Sequence, residues 1–460
     1  MSIRALLAIV LLLLSLAWTL RRPFVGVCVN VLLFHLNLRA LGAGLENIRF
    51  QFYATIVLFI SYFINYEQLH AQPAITRPPM RWLYAFTAMT FITSMWAVAS
   101  PAHAFDSAFE FSKIVLFVWL MTQIIKTEHE LRILMYVIIA GCWYTSFMAQ
   151  WGVEWDLIDE IEVGVATGGT GTHLMMFLPL MILLAIYGAW KERLFVIFVI
   201  PFVLNFLPNT EEGMRSTFLT LVVTVALLFL LAPGSMRWKA LPPILVGGLL
   251  FVFVLTPPGY FEYMTTILDP SSENSAASRS VINQASFEIL KDYPMGIGYD
   301  NYPMVSLKYL PEEALSNLGT RDAHNSFLKV ATEFGIIGFL IWITTALLTW
   351  THFRKIRKTL QNGVPPTMLQ LCALSFEIAL IGVAPGMWTH NYNQLDSLYW
   401  LVALSGIMYN LHLQTNTAAE AQAPVTVLQP QRAKAGGGRP TIPAPPPRLK
   451  PPPKLSPKAS

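Results

Sequence analysis

Charge is scarce in this chain: Asp, Glu, Lys and Arg together make up 13% of 460 residues, while 54% are hydrophobic. That balance excludes an ordinary soluble domain of this size. Cysteine is nearly absent as well. Cys28, Cys142 and Cys372 sit in three different apolar blocks, so neither a disulfide framework nor a zinc-binding spacing is present, and all three read as small apolar fillers. No internal repeat is visible. The formal charge of +4 is concentrated in the Lys and Arg of the C-terminal tail, so it implies no nucleic-acid partner.

What the chain does have is apolar residues in blocks of about 16 to 24, each near the length that crosses ~30 Å of hydrocarbon as an α-helix with its backbone polar groups satisfied internally. The expected spans are 2–20, 23–38, 50–66, 80–99, 106–125, 130–149, 171–189, 193–208, 215–232, 240–256, 326–350, 367–384 and 397–413. The fold class is therefore all-α and polytopic, with twelve or thirteen transmembrane helices. The first block ends Ala17-Trp18-Thr19-Leu20-Arg21-Arg22 without a small-x-small cleavage site, and reads as a retained anchor. Thirteen crossings put Met1 outside; a re-entrant hairpin at 23–38 puts it in the cytoplasm.

Lys and Arg of short loops stay on the cytoplasmic side. The clusters Lys191/Arg193, Arg237/Lys239 and Arg354, Lys355, Arg357 and Lys358 then place three segments outside: the acidic loop around Glu154 to Glu162, the turn Asn209 to Arg215, and the long stretch 257–325. Four regions result: membrane helices over 1–256, a large periplasmic loop over 257–325, C-terminal membrane helices over 326–413, and a Pro-rich basic tail over 414–460 that cannot form a core.

Long connecting segments tend to carry binding or catalysis. Within 257–325, Ser278 to Lys291 reads as an amphipathic helix through Val281, Ile282, Ala285, Ile289 and Leu290, with Ser278 or Ser280 as cap and Arg279 in its first turn. Pro294-Met295-Gly296-Ile297-Gly298-Tyr299 reads as a turn; its two glycines make no nucleotide fingerprint, because no strand precedes them and no third glycine opens a helix. Arg321-Asp322-Ala323-His324-Asn325 then leads into an apolar span containing Glu333, Gly335 and Gly338. His324 is thereby fixed at a membrane boundary, Asn325 is positioned to cap the helix, and the glycines allow a neighbouring helix to approach. Arg215 opens another span on the same face. Paired guanidinium forks there suit the oxygens of a diphosphate, while a single boundary arginine is more often a head-group anchor.

These residues resemble the O-antigen ligase and O-antigen polymerase superfamily of bacterial inner membranes. His324-Asn325, nine intervening residues, then Gly335 and Gly338 are similar to its His-Asn-x9-Gly-x-x-Gly signature; Arg215-x-x-x-Leu219 is similar to its Arg-x3-Leu motif; Arg279 stands where the family keeps a second arginine early in its periplasmic loop. The early segment resembles the subgroup associated with exosortase systems. Glu211 and Glu212, just before Arg215, depart from the pattern and weaken a phosphate-holding role for that arginine.

The resemblance implies a GT-C-like membrane glycosyltransferase that takes a glycan from an undecaprenyl diphosphate carrier, inverts the anomeric centre and uses no cofactor. On it, His324 is the catalytic residue, Arg215 and Arg279 bind diphosphate, and Arg321, Asn325, Gly335 and Gly338 support them. The outer segments contain neither an Asp-x-Asp pair nor clustered His and Cys ligands, in keeping with a metal-independent reaction. Tyr299, Tyr302 and Tyr309 are candidate sugar-stacking faces, and His390, with Asn391 and Asp396, is a lesser polar contact. The acceptor stays open among lipid A-core, a growing glycan and a protein hydroxyl. Two rival classes stay open too: a transporter or flippase of lipid-linked glycan, for which Glu377 is the main ionisable group deep in a span, and a non-catalytic envelope-assembly protein.

Overall fold

The structure, a computed structural model, describes residues 3–36, 38, 45, 48–70, 78–151, 167–209, 214–265, 274–311, 314–315 and 321–422. The acidic loop from Glu154 to Glu162, Glu211, Glu212 and the tail beyond Gln422 lie outside the described residues. The chain divides into two units, Met1–Asn416 and Thr417–Ser460; all that follows concerns the first, apart from the last turns of its final helix.

A helix stands on every apolar block. In chain order these are α1 (Ile3–Arg21), α2 (Pro23–His35), α3 (Phe50–Ile64), α4 (Pro78–Ser94), α5 (Pro101–Ile124), α6 (Glu128–Trp151), α7 (Thr167–Tyr187), α8 (Trp190–Phe206), α9 (Met214–Leu231) and α10 (Gly234–Leu250, extended by a π turn to Leu255). After the outer segment with α11 (Asn274–Asp292) come α12 (Ser326–Arg357), α13 (Met368–Gly382), the short α14 (Ala384–Thr389) and α15 (Asp396–Gln422). Five stretches, within α6, α7, α10, α12 and α13–α14, are long and apolar enough to cross a membrane, and α1, α2, α3 and α9 are shorter apolar helices. No strand occurs among the described residues. The protein is an all-α polytopic membrane protein.

The core is built where helices bury apolar faces on one another. Residues of α7, α13 and α15, such as Phe177, Phe376 and Trp400, are wholly buried in its centre, whereas α10 leaves Leu245, Val246, Leu249 and Phe253 exposed, as a lipid-facing helix does. The three basic clusters gather at one end of the bundle. Lys239 lies 5.5 Å from the Tyr187 ring centroid, Arg357 donates to the Leu231 carbonyl at 3.2 Å, and the Ser235 backbone N–H donates to Asn362 Oδ1 at 3.4 Å. At the opposite ends of α9 and α12 stand Arg215 and His324.

The outer segment has a small core of its own. Ile282, Ala285 and Ile289 of α11, spaced at helical intervals, pack with Ile297, Tyr302, Val305 and Ala323. Three expectations change. α11 begins at Asn274 rather than Ser278, so Arg279 lies in its second turn. α4 ends at Ser94 rather than running to 99, because the next residues turn to bond the outer segment: Val98 N–H donates to the Ile297 carbonyl at 2.9 Å and Ser100 N–H to Asn301 Oδ1 at 2.7 Å. Tyr299 and Tyr302 are 3% and 0% exposed, so neither offers a face to a sugar. Tyr299 packs between Phe111 and Phe334, and the Tyr302 hydroxyl meets Ser286 Oγ at 2.7 Å.

Candidate active site

Asn325 ends the outer segment and starts α12. Its Oδ1 accepts from the N–H groups of Phe327 and Leu328 at 3.1 and 3.2 Å, the geometry of an N-cap that satisfies orphan donors of the first turn. His324, one residue earlier, has φ 45°. That left-handed backbone costs a non-glycine residue about 1–2 kcal/mol and persists only where surrounding contacts impose it.

Those contacts come from two sides. From below, the Lys329 ammonium, 4% exposed, binds Asp322 Oδ2 at 2.8 Å and Asp300 Oδ1 at 3.1 Å, with Glu333 Oε1 at 3.8 Å. This fixes the chain just before His324 to the first turns of α12. From the side, the loop between α14 and α15 wraps the start of α12. Ser326 Oγ donates to the His390 carbonyl at 2.7 Å and accepts from Tyr392 N–H at 2.7 Å, and Asn325 N–H donates to Asn391 Oδ1 at 3.2 Å. The His390 and Tyr392 rings stack with 5.5 Å between centroids. The Tyr392 hydroxyl in turn reaches Ser216 Oγ at 3.0 Å, and Ser216 is the residue after Arg215 on α9.

Electrostatics gathers the same residues. Burial, and then the positive charge of Arg321, lower the His324 imidazole below its usual value; Asp322 opposes this, while Arg279 and Lys329 add to it. His390 is lowered to about 4, first by burial and then by Arg279 and His324. The structure therefore brings His324, Arg279, Arg321 and His390 into one neighbourhood, and Arg215 adjoins it through Ser216 and Tyr392. A lowered imidazole favours its neutral form, the form able to accept a proton.

The two glycines do a different task from the expected one. At Gly335 (φ 69°, ψ −178°) α12 is broken, and a Cβ there would come within 2.5 Å of the Pro294 carbonyl oxygen. The Pro294–Gly298 turn inserts at the break: Ile297 N–H donates to Thr332 O at 3.0 Å, Gly298 N–H to Glu333 O at 3.1 Å, and Ile336 N–H to Pro294 O at 3.2 Å. A Cβ on Gly338 would lie 2.3 Å from that of Phe334, on the far side of the break. Gly335 thus admits the outer segment's own backbone, while Gly338 leaves room for the Phe334 side chain of its own helix.

Residues 210–343 match the family model of O-antigen ligase. Over that segment the chain is similar to O-antigen ligases. The matched segment contains Arg215, Arg279, Arg321, His324, Asn325, Gly335 and Gly338, whereas His390, Asn391 and Tyr392 lie beyond it. No curated protein matches the chain.

Sequence reasoning undervalued the 390–392 loop, which lies beyond the matched segment, and gave no role to Lys329, which lies within it. A lysine inside an apolar span was the available signal for the second. Glu377 resolves otherwise than a transport group: it forms a bidentate ion pair with Arg357 and accepts from Trp350 Nε1 at 3.1 Å. An apolar cavity of about 380 Å³ follows α12 from Phe327 toward Trp350 and is lined on its other side by Met387, Leu398 and Val402.

Proposed function

We propose that this protein is an inner-membrane glycosyltransferase that moves a glycan from an undecaprenyl diphosphate carrier to an acceptor hydroxyl at the periplasmic face. The observation that carries the reading is His324, held in a left-handed backbone before α12, braced by the Lys329–Asp322 pair and the 390–392 loop, and close to Arg279 and Arg321. The acceptor oxygen attacks the anomeric carbon as the bond from that carbon to the diphosphate breaks. His324 takes the hydroxyl proton, and attack opposite the leaving group inverts the anomeric centre.

Diphosphate leaves with its charge, which Arg215 and Arg279 receive; a donor aimed at such developing charge is worth about 10²–10³ in rate. On this reading guanidinium groups supply what a divalent metal supplies in nucleotide-sugar transferases. Burial and then Arg321 favour the neutral form of His324, and Asn325, Gly335 and Gly338 hold the frame. The cavity along α12 is apolar and begins one turn from His324, which suits a polyprenyl chain entering from the bilayer. The pairing of Glu377 with Arg357 favours this reading over a transporter, since the principal ionisable group deep in a span is already neutralised.

The test is His324→Ala in a producing strain, with membrane insertion verified and lipid-linked and mature glycans separated. The expected result is loss of mature product with accumulation of the diphosphate-linked donor. An unchanged glycan profile from a normally inserted variant removes His324 from the reaction; donor trapped on the cytoplasmic side in a deletion strain replaces the transferase by a flippase.

A further inference from the structure

Away from the O-antigen ligase segment, three helices bring His35, Cys142 and His173 together. His35 ends α2, Cys142 lies in the second half of α6, and His173 is in the second turn of α7. One ring nitrogen from each histidine and the Cys142 sulfur all lie within 4.8 Å of one another. Cys142 Sγ is 3.8 Å from His173 Nε2, and the two imidazole centroids are 5.0 Å apart. All three side chains are buried, His173 and Cys142 almost completely. The cysteine read from sequence as an apolar filler is therefore part of a cluster of metal-ligand chemistry, hidden because its members are 31 and more residues apart in the chain.

Three further observations separate this cluster from ordinary core packing. First, His35 Nδ1 is 3.0 Å from Thr145 Oγ1; in the tautomer that donates to the hydroxyl, Nε2 carries a lone pair, as an oriented metal ligand does. Second, His35 Nε2 and His173 Nδ1 are buried with no hydrogen-bond partner among the described residues, a costly state for polar nitrogen in a dry interior. Third, α6 has glycine beside the cysteine: a Cβ on Gly141 would meet the His35 ring at 2.1 Å, so the helix is cut away where that imidazole must lie. Phe34 and Trp400 wall the cluster, with centroids 5.2 and 5.8 Å from that of His173, and exclude water.

We propose that His35, Cys142 and His173 form a three-coordinate site for one soft metal cation, Cu(I). Thiolate and imidazole donors suit copper and zinc alike. Charge distinguishes them: one thiolate, two neutral imidazoles and Cu(I) sum to zero, whereas Zn(II) leaves a net positive charge in a low-dielectric bundle. Donor number points the same way, since structural zinc sites are closed by four ligands and the group found here has three. The ion pins α2 to α6 and α7 and takes no part in glycan transfer.

The full chain in lipid nanodiscs, stripped by a chelator and kept anaerobic and reduced, is titrated with Cu(I) against the chromophoric ligand bicinchoninate. Wild type is expected to withdraw one equivalent and to melt at a higher temperature when loaded. Cys142→Ser and His173→Gln abolish both effects, Thr145→Val weakens binding by roughly 10–100-fold, and Cys28→Ser leaves it intact. X-ray absorption of loaded wild type, expected to show one sulfur and two nitrogen neighbours, decides the matter even where a variant fails to fold. The site is overturned if monodisperse wild type withdraws no copper, if Cys142→Ser binds as tightly, or if equimolar Zn(II) displaces the ion.

Discussion

Asn325 and Asn391 meet across 66 residues of chain, the backbone N–H of the first donating to the side-chain oxygen of the second at 3.2 Å. The bond ties the turn that presents His324 to the loop that carries His390, and it lies between the last segments of the bundle and the matched O-antigen ligase segment. Asn391→Ala leaves a partly buried donor unpaired, at a cost of about 1–3 kcal/mol. Misplacing the base by an ångström costs on the order of 10²-fold. The expected outcome is a fall in kcat of about ten- to a hundredfold, with donor KM little changed, in a reconstituted transfer assay; equal kcat in the variant refutes the brace.

The acid limb of kcat/KM reports the ionisation of His324 in the free enzyme. Because its folded value is depressed from 6.5 by burial and by Arg321, activity is retained as pH falls through 6.5 and is lost only below it. Arg321→Gln removes the second of those causes, so the limb moves up toward 6.5. A limb at the same pH in wild type and variant shows that the guanidinium does not act on this imidazole.

Gly335→Ala combines two penalties. The positive φ strains any side chain, by about 1–3 kcal/mol, and the new Cβ meets the Pro294 carbonyl at 2.5 Å, in backbone that is itself hydrogen-bonded into the break. The variant is expected to melt several degrees lower in detergent and to lose transfer activity, because the outer segment is displaced from α12. Wild-type melting and activity contradict the role assigned to the break.

Much of the frame was legible before the structure. Each apolar block carries a helix among the described residues, because hydrocarbon thickness and internal hydrogen bonding leave few alternatives, and the Asn325 cap followed from its place before an apolar run. Helix ends were less legible: α4 stops early because Asn301, some 200 residues away, bonds the chain at Ser100. The break at Gly335 was invisible for the same reason, since helix-to-helix approach and insertion of a turn call for the same residue. His390 and the His35–Cys142–His173 cluster depend on elements distant in sequence, and spacing carries no information about them.

Lys329 holds the acidic surroundings of His324 together. It is almost fully buried against Asp322, Asp300 and Glu333, the last of them 0% exposed. Lys329→Met keeps the length of the side chain and removes its charge, which leaves carboxylates facing one another without a counter-ion. Breaking a buried pair from one side costs about 3–5 kcal/mol, so the variant is expected to be poorly inserted or to melt well below wild type. Adding Glu333→Gln to it removes one of the stranded charges and restores part of the loss, whereas Glu333→Gln alone weakens the network only modestly. Non-additivity of that sign, read from melting temperatures of the four proteins in one detergent, demonstrates the coupling; simple addition of the two single effects means that Lys329 and Glu333 act independently and that the aspartates alone brace the His324 turn.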